Sequence, residues 1–302
     1  MPTSRDIIDD ALRLGFIDIR AARVEPVDHA SAAMFEQWIA DQRHGSMDYL
    51  ARYADVRRNP ALLLEGARTI LVAAINYYRH PSPDDPAIAL YASGDDYHTV
   101  VRERLESLAE TIRQRFGGET RVCVDTAPLR ERYWSAQSGL GFIGLNNQLI
   151  IPGAGSYFFL GEILSTVEFE ADQPLNRTCC RCRKCIAACP GGALKPDGSI
   201  DARKCLSYLT IEHRGALPEG TDLKGHLYGC DVCQQVCPHN ADARHTDEPC
   251  FALRDSYRKL SLRYIAEQMT QEEFSTTFRG SAIKRTKFEG LQRNAKSILD
   301  SK

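Results

Sequence analysis

The chain has 302 residues, roughly two domains' worth. With 43% hydrophobic and 26% charged residues it has the composition of a globular protein, which excludes a disordered chain. Lysine and arginine number 38 against 40 aspartate and glutamate, so a chain-wide polycation for nucleic acid is excluded and any such contact must be a local patch.

In chain order, Thr3 followed by Asp6 opens a helix over 3–15, with Ile7, Ile8, Ala11 and Leu12 on one face and Gly15 as its stop. A second helix is expected over 32–42. The run TILVAAINYY at 69–78 has the length and β-branched content of a buried strand. Residues 98–116 form the clearest helix: Val101, Leu105, Leu108, Ile112 and Phe116 share a face, and Gly117-Gly118 end it. A short strand over 121–124 puts Asp125 at its C-terminal end. Residues 133–161 then carry no charge in 29 positions and six glycines, with two strands expected at 148–151 and 156–163. Gly139-Leu-Gly141-Phe-Ile-Gly144 matches a dinucleotide fingerprint, but a helix-like stretch precedes it and a strand-like one follows, the reverse of what that fold requires. The glycines read instead as backbone approaching a large uncharged ligand surface, or as turns between strands. Residues 171–178 read as a linker.

Eleven cysteines are present, ten of them between Cys179 and Cys250. The first 14 residues include Arg5, Asp6, Asp9 and Asp10 and no apolar core. No run approaches the ~20 apolar residues of a membrane helix. A cytoplasmic chain without a membrane span is expected, in which clustered cysteines serve metal or redox chemistry.

Cys179-x2-Cys182-x2-Cys185-x3-Cys189-Pro190 is the bacterial ferredoxin run, and Cys230-x2-Cys233-x3-Cys237-Pro238 repeats its second half. Cys205 supplies the missing ligand. By the crossed topology of such runs, one 4Fe–4S cluster takes Cys179, Cys182, Cys185 and Cys237, and the other takes Cys189, Cys205, Cys230 and Cys233. Cys123, Cys180 and Cys250 are left over, Cys123 as a buried strand residue. Two structural zinc sites are the rival, but zinc modules pair two CxxC knuckles and do not use this spacing. The expected fold is an α+β, α/β-like N-terminal domain over 1–170, a bacterial-type two-cluster ferredoxin domain over 171–250 and a helical extension over 251–302. A stand-alone ferredoxin needs neither flanking segment, so the electron acceptor is expected in the same chain.

Together with both cysteine runs, several stretches resemble the epoxyqueuosine reductases, cobalamin- and iron–sulfur-dependent enzymes of tRNA modification. They are Val124-Asp125-Thr126-Ala127-Pro128 with Glu131-Arg132, the glycine run 139–144, Gly155 through Glu162, and Cys205 through Glu212. Tyr91-Ala92, Asp96-Tyr97-His98, Lys284-Arg285 and Arg293-Asn294 add to them. The resemblance implies two-electron removal of the epoxide oxygen of epoxyqueuosine at the tRNA wobble position, giving queuosine. It also implies base-off cobalamin in the cleft facing the ferredoxin module, which fits the absence of a complete D-x-H-x-x-G motif after Asp96. The implied partners are that tRNA and an external one-electron donor such as flavodoxin or ferredoxin, and a monomer is expected.

Asp125 is the expected general acid, kept protonated by desolvation beside an uncharged aromatic segment; a helix cap is the alternative. Arg58, Tyr97, His98, Asp125, Ser207 and Tyr208 are the expected cobalamin contacts, with Arg57 an equally good candidate as Arg58 and His98 open to a plain role at the start of its helix. Residues 279–302 hold seven Lys or Arg against two acids, and Lys284, Arg285 and Arg293 are the expected tRNA contacts. The family often has Trp and Lys where this chain has Phe142 and Leu145, and many members carry a C-terminal helical-repeat domain beyond the point where this sequence ends. The rivals are a dehalogenase-like reductase of small molecules and a pure electron carrier.

Overall fold

The computed structural model describes residues 1–301; Lys302 of the basic tail lies outside the described residues. Helix α1 (Ile8–Arg13) leads to strand β1 (Asp18–Arg23), and α2 (His29–Ala40), α3 (Tyr49–Arg52) and α4 (Ala54–Arg58) precede β2 (Thr69–Asn76). Then come α5 (Tyr97–Phe116), β3 (Thr120–Cys123), α6 (Glu131–Gln137), β4 (Phe142–Ile143), β5 (Leu149–Ile150) and β6 (Phe158–Ser165). The cysteine segment carries α7 (Lys184–Ala188), α8 (Leu206–Ile211) and α9 (Val232–Gln235). Helices α10 (Asp255–Arg258), α11 (Leu262–Glu267), α12 (Gln271–Thr277) and α13 (Lys287–Asp300) follow.

A four-stranded sheet in the order β1-β2-β6-β3 organises the N-terminal part, and every pairing in it is antiparallel, so this part is α+β. Strand β2 reads as a continuous apolar run because both of its faces are covered. Leu71, Ala73 and Ile75 meet α1 and the Val101, Leu105, Leu108 and Ile112 stripe of α5. Ile70, Val72 and Ala74 meet a second layer containing Trp134 of α6 and Leu140. Gly161 of β6 is where α5 lies closest: a Cβ there would stand 2.5 Å from Leu105 and 2.9 Å from Val101. A third core joins Ile88 and Ala92, the α8 residues Leu206 and Leu209, Tyr228, and Ile283, Leu291 and Ile298 of the C-terminal segment. That segment therefore shares one core with the cysteine module.

Some boundaries move for local reasons. The helix over 3–15 divides into a 3-10 turn at Ser4–Asp6, closed by the Thr3–Asp6 capping box, and α1. Strand β2 ends at Asn76, whose side chain turns to accept from the Tyr78 N–H at 2.7 Å and to donate to the Arg244 carbonyl at 2.8 Å. Strand β6 begins at Phe158 rather than at 156 because Ser156 is committed elsewhere: its N–H donates to Asn240 at 2.7 Å, and its carbonyl accepts from Gln234 at 3.0 Å.

Those bonds also correct the reading of the glycine-rich segment. What its backbone approaches is the protein itself. A Cβ on Gly155 (φ 90°) would stand 2.2 Å from Asn240, and one on Gly139 would stand 2.1 Å from the Gln173 carbonyl. Asn146 and Asn147 donate to the carbonyls of Cys233 and Gly198, at 3.3 and 2.7 Å. The uncharged stretch is the seam between the sheet domain and the cysteine module, where a charge would be buried without a partner.

Candidate active site

The short helices α7 and α9 pack together and carry the thiols into two groups. Cys179, Cys182, Cys185 and Cys237 line one pocket with Leu145, Asn146 and His239. Burial, and then the charges of Cys179, Cys237 and Cys182, raise the Cys185 thiol. In the other group, burial and then Cys205, Asp231 and Cys189 raise Cys230 to about 12, and burial with Cys205, Cys230 and Cys189 raises Cys233. The thiol charges that act on Cys185 and Cys233 come from within each crossed set, while Cys180, expected as a spare, also lines the first pocket and acts on Cys237. No three Cys, His, Asp or Glu among the described residues converge as tightly as a single metal ion requires. Four soft thiol donors in each of two groups are the donor chemistry of a 4Fe–4S cluster. Cys123 is buried in β3, and Cys180 is exposed.

Asp125 sits two residues beyond β3 in a left-handed turn (φ 46°), with the Thr126 N–H bonded back to the Val124 carbonyl. Its own N–H donates to Glu131 at 2.5 Å. Its side chain is 53% exposed and lies 3.0 Å from His98 Nε2. His98 Nδ1 lies 2.7 Å from Asp96, the residue that caps α5. Tyr97 stacks flat on Phe159 at 4.4 Å and on His98 at 4.1 Å, fixing the ring between its two carboxylates.

This geometry overturns the expected protonation of Asp125. Burial alone would push its carboxyl up, but the hydrogen bond and charge of His98 outweigh burial and hold it below the usual range. Desolvation likewise disfavours a charged His98, yet Asp125 and Asp96 together raise the ring to about 9. The proton therefore rests on His98. Two neighbouring acids behave oppositely. Burial and the Asp125 charge raise Glu131 to about 7, and burial with the charges of Glu131 and Asp125 pushes Glu162 well above its ordinary value. Glu162 is fully buried in β6, and neither of its carboxyl oxygens has a partner. Of three carboxyls sharing one neighbourhood, Asp125 alone is hydrogen-bonded to a cation, so it is the one that ionises. The cap alternative falls too, since the N-cap of α6 is Arg130 and not Asp125.

The residues 57–126 match the family model described as "Epoxyqueuosine reductase QueG, DUF1730", and 178–240 match "4Fe-4S double cluster binding domain". The chain is 38% identical to the epoxyqueuosine reductase of Gloeobacter violaceus, over 99% of this chain and 96% of that one. It is 38% identical to that of Cyclobacterium marinum, over 87% and 86% of the two chains. This chain belongs to the epoxyqueuosine reductase family. It is accordingly an oxidoreductase with two 4Fe–4S clusters. Among solved structures it is similar to epoxyqueuosine reductase from Streptococcus thermophilus, at 29% identity and a TM-score of 0.86 over 99% of this chain and 81% of that one. It is equally similar to an epoxyqueuosine reductase crystallised with an epoxyqueuosine-modified tRNA stem loop, at 29% identity and 0.86 over 98% and 80%. No helix of the described residues is long and apolar enough to cross a membrane.

Other expected site residues are placed variously. Arg58 turns away to pair with Glu36 at 3.3 Å. Its neighbour Arg57 lies nearer Asp125 instead: its Nε is buried without a partner, and burial lowers its pKa against the attraction of Tyr49, Glu131 and Asp125. Ser207 is half-buried beside Cys205. The Tyr208 hydroxyl is occupied, accepting the Ser46 N–H at 2.8 Å and sharing a bond with its hydroxyl at 2.9 Å, so it braces the 44–47 turn rather than offering a free contact. In the C-terminal segment, Arg293 donates to the carbonyls of Leu209, His213 and Gly215. Arg285 grips Glu212 with two 2.8 Å bonds and lies over the Tyr49 ring. Both guanidinium groups are thus engaged within the fold, Arg285 while still exposed, and Lys284 is exposed with no carboxylate partner among the described residues. Phe142 packs edge-on against His239, and Leu145 lines the first thiol pocket. The residues that sequence reading did not single out for roles are Glu131, Glu162 and Asp96. One signal was available: Glu162 is the charge that ends the 29-residue uncharged run.

Proposed function

We propose that this chain reduces epoxyqueuosine in tRNA to queuosine, with Asp125 and His98 supplying protons in a cleft that also holds base-off cobalamin. The observation that carries the reading is the Asp96–His98–Asp125 chain, which ends in a half-exposed carboxylate. The residues present fit a large polar cofactor. The half-exposed Asp125 carboxylate and the bare Nε of Arg57 leave hydrogen-bonding capacity unmet at the cleft. Tyr49, exposed and close enough to Asp125 and Arg57 to feel their charges, adds an aromatic face. When bound, cobalamin would supply a strongly reducing cobalt that collects electrons one at a time from the clusters.

Removing the oxygen as water consumes two electrons and two protons. His98 stores a proton between two carboxylates, and Asp125, the one of the three that faces the cleft, passes it to the oxygen as negative charge develops there. Tyr97, pinned on Phe159, keeps the imidazole in line. Neutral Glu162 and partly neutral Glu131 spare the site two further negative charges. Lys284 is the tRNA contact we favour, with Arg285 shaping the rim of the cleft. The test is anaerobic reconstitution with iron, sulfide and cobalamin, followed by nucleoside analysis of epoxyqueuosine tRNA. Appearance of queuosine is the expected result. Its absence from enzyme loaded with both cofactors and reduced would overturn the reading.

A further inference from the structure

The first thiol set is ringed by unpaired positive charge. Residues 173–200 contain Arg177, Arg181, Arg183, Lys184 and Lys195 against one acid, Asp197, whose carboxylate is taken up by the Ser199 N–H at 2.8 Å. Arg177, Arg181, Arg183 and Lys184 are exposed, and Arg183 lines the thiol pocket itself. Arg181 and Arg183 adopt left-handed backbone (φ 51° and 61°) on either side of the exposed Cys182. Arg181 donates to the Pro196 carbonyl at 3.3 Å, which draws the Lys195 loop into the same surface. Nearby Arg43 and Arg203 have partners in Asp41 and Asp201, whereas these five cations have none among the described residues. The second thiol set is different: Cys205 and Cys230 pack against the core that also contacts Tyr91 and Tyr97, the side of the cleft. The wire has a surface end and a buried end, and the cations mark the surface end.

We propose that this rim is the docking surface for an acidic one-electron carrier protein that loads the first cluster. Each encounter oxidises the carrier by one electron and reduces the cluster by one, so two encounters supply one two-electron turnover. The proposal rests on the iron–sulfur assignment and not on the identity of the substrate. Two other uses of the charge are outcomes of the test. The cations could serve only to neutralise the cluster, whose oxidised form with four thiolates carries a charge of roughly −2. They could instead bind tRNA phosphates, but a phosphate has no need of an exposed cluster thiol, and the reacting nucleoside must reach Asp125.

The experiment follows bleaching of the clusters in the holoenzyme, without tRNA, by stopped flow under anaerobic conditions. The reductants are flavodoxin hydroquinone, which is acidic, and photoreduced deazariboflavin, which is uncharged. Arg177→Glu/Arg181→Glu/Lys184→Glu is expected to slow the flavodoxin reaction at low salt by about tenfold or more and to flatten its salt dependence. Its deazariboflavin rate and iron content are expected to stay the same. Arg177→Glu/Lys195→Glu, at the two margins of the rim, serves should the triple variant fail to assemble its cluster, and is expected to act in the same direction. Equal losses with both reductants would overturn docking in favour of charge neutralisation. An unchanged flavodoxin rate with lost tRNA binding would overturn it in favour of a nucleic-acid surface.

Discussion

The cysteine module and the acid cleft handle the two halves of one reduction, and they are built on different scales. The thiols stand on or beside helices of four to six residues, and their positions follow from two- and three-residue spacings along the chain. The cleft draws His98 from the start of a 20-residue helix, Asp125 from the turn after β3, and Glu131 and Glu162 from α6 and β6. An electron carrier needs a fixed ligand set, which local spacing can encode. A proton site needs a balance of charges, which only tertiary packing can set. Burial makes Glu162 neutral, whereas Asp125 is ionised because His98 reaches it and does not reach Glu162.

Substitutions should keep the two halves separable. Cys205→Ala is expected to have the largest effect: iron falls from about eight to about four per chain and turnover is lost, while Cys123→Ser and Cys250→Ser keep full iron. His98→Gln should cost about 10²-fold in turnover with cluster spectra unchanged. The pH response has a defined sign. His98 is raised from 6.5 to about 9, so its ion pair stabilises the fold fully below pH 6.5 and that stability is lost as pH rises through about 9. Turnover should decline over the same upper range, and His98→Gln should abolish this alkaline limb in both melting and rate profiles.

Glu162→Gln tests the cleft from behind. A carboxyl held neutral in the fold but free to ionise when unfolded destabilises the protein increasingly as pH rises above its ordinary 4.5. The variant should therefore melt a few degrees higher than wild type at pH 8 and show a smaller difference at pH 5. An equal shift at both pH values would mean that Glu162 is not the titrating group. Lys284→Glu is expected to have the smallest effect, weakening tRNA binding several-fold and lowering the salt slope by about one ion, with the visible spectrum unchanged. Identical affinity at low salt would remove Lys284 from the interface.

Much of this was legible in the residues, and the exceptions share a cause. Strand β2 and helix α5 announce themselves through a continuous apolar run and a five-residue stripe, and the crossed thiol sets follow from motif spacing. The protonation of Asp125 was misread because its deciding partner lies 27 residues away. Arg57 and Arg58 could not be told apart, since a helix of five residues is too short to show a periodic face. Arg285 looked like a free cation because Glu212, which it grips, is 73 residues away. The glycine-rich run left two readings open for the opposite reason: an uncharged surface looks the same whether it meets a ligand or another part of the same chain, and the turns at 144–148 and 151–155 answer to the second reading, turns between strands.

The most direct test of the central claim, that electrons and protons enter through separate parts of the molecule, is a single-turnover measurement on Asp125→Asn. The variant would be reconstituted with iron, sulfide and cobalamin, reduced, and mixed with epoxyqueuosine tRNA. The account predicts clusters that reduce at the wild-type rate, an unchanged cobalamin spectrum and queuosine formation slowed by about 10²-fold or more. Queuosine forming at the wild-type rate in that variant would contradict it.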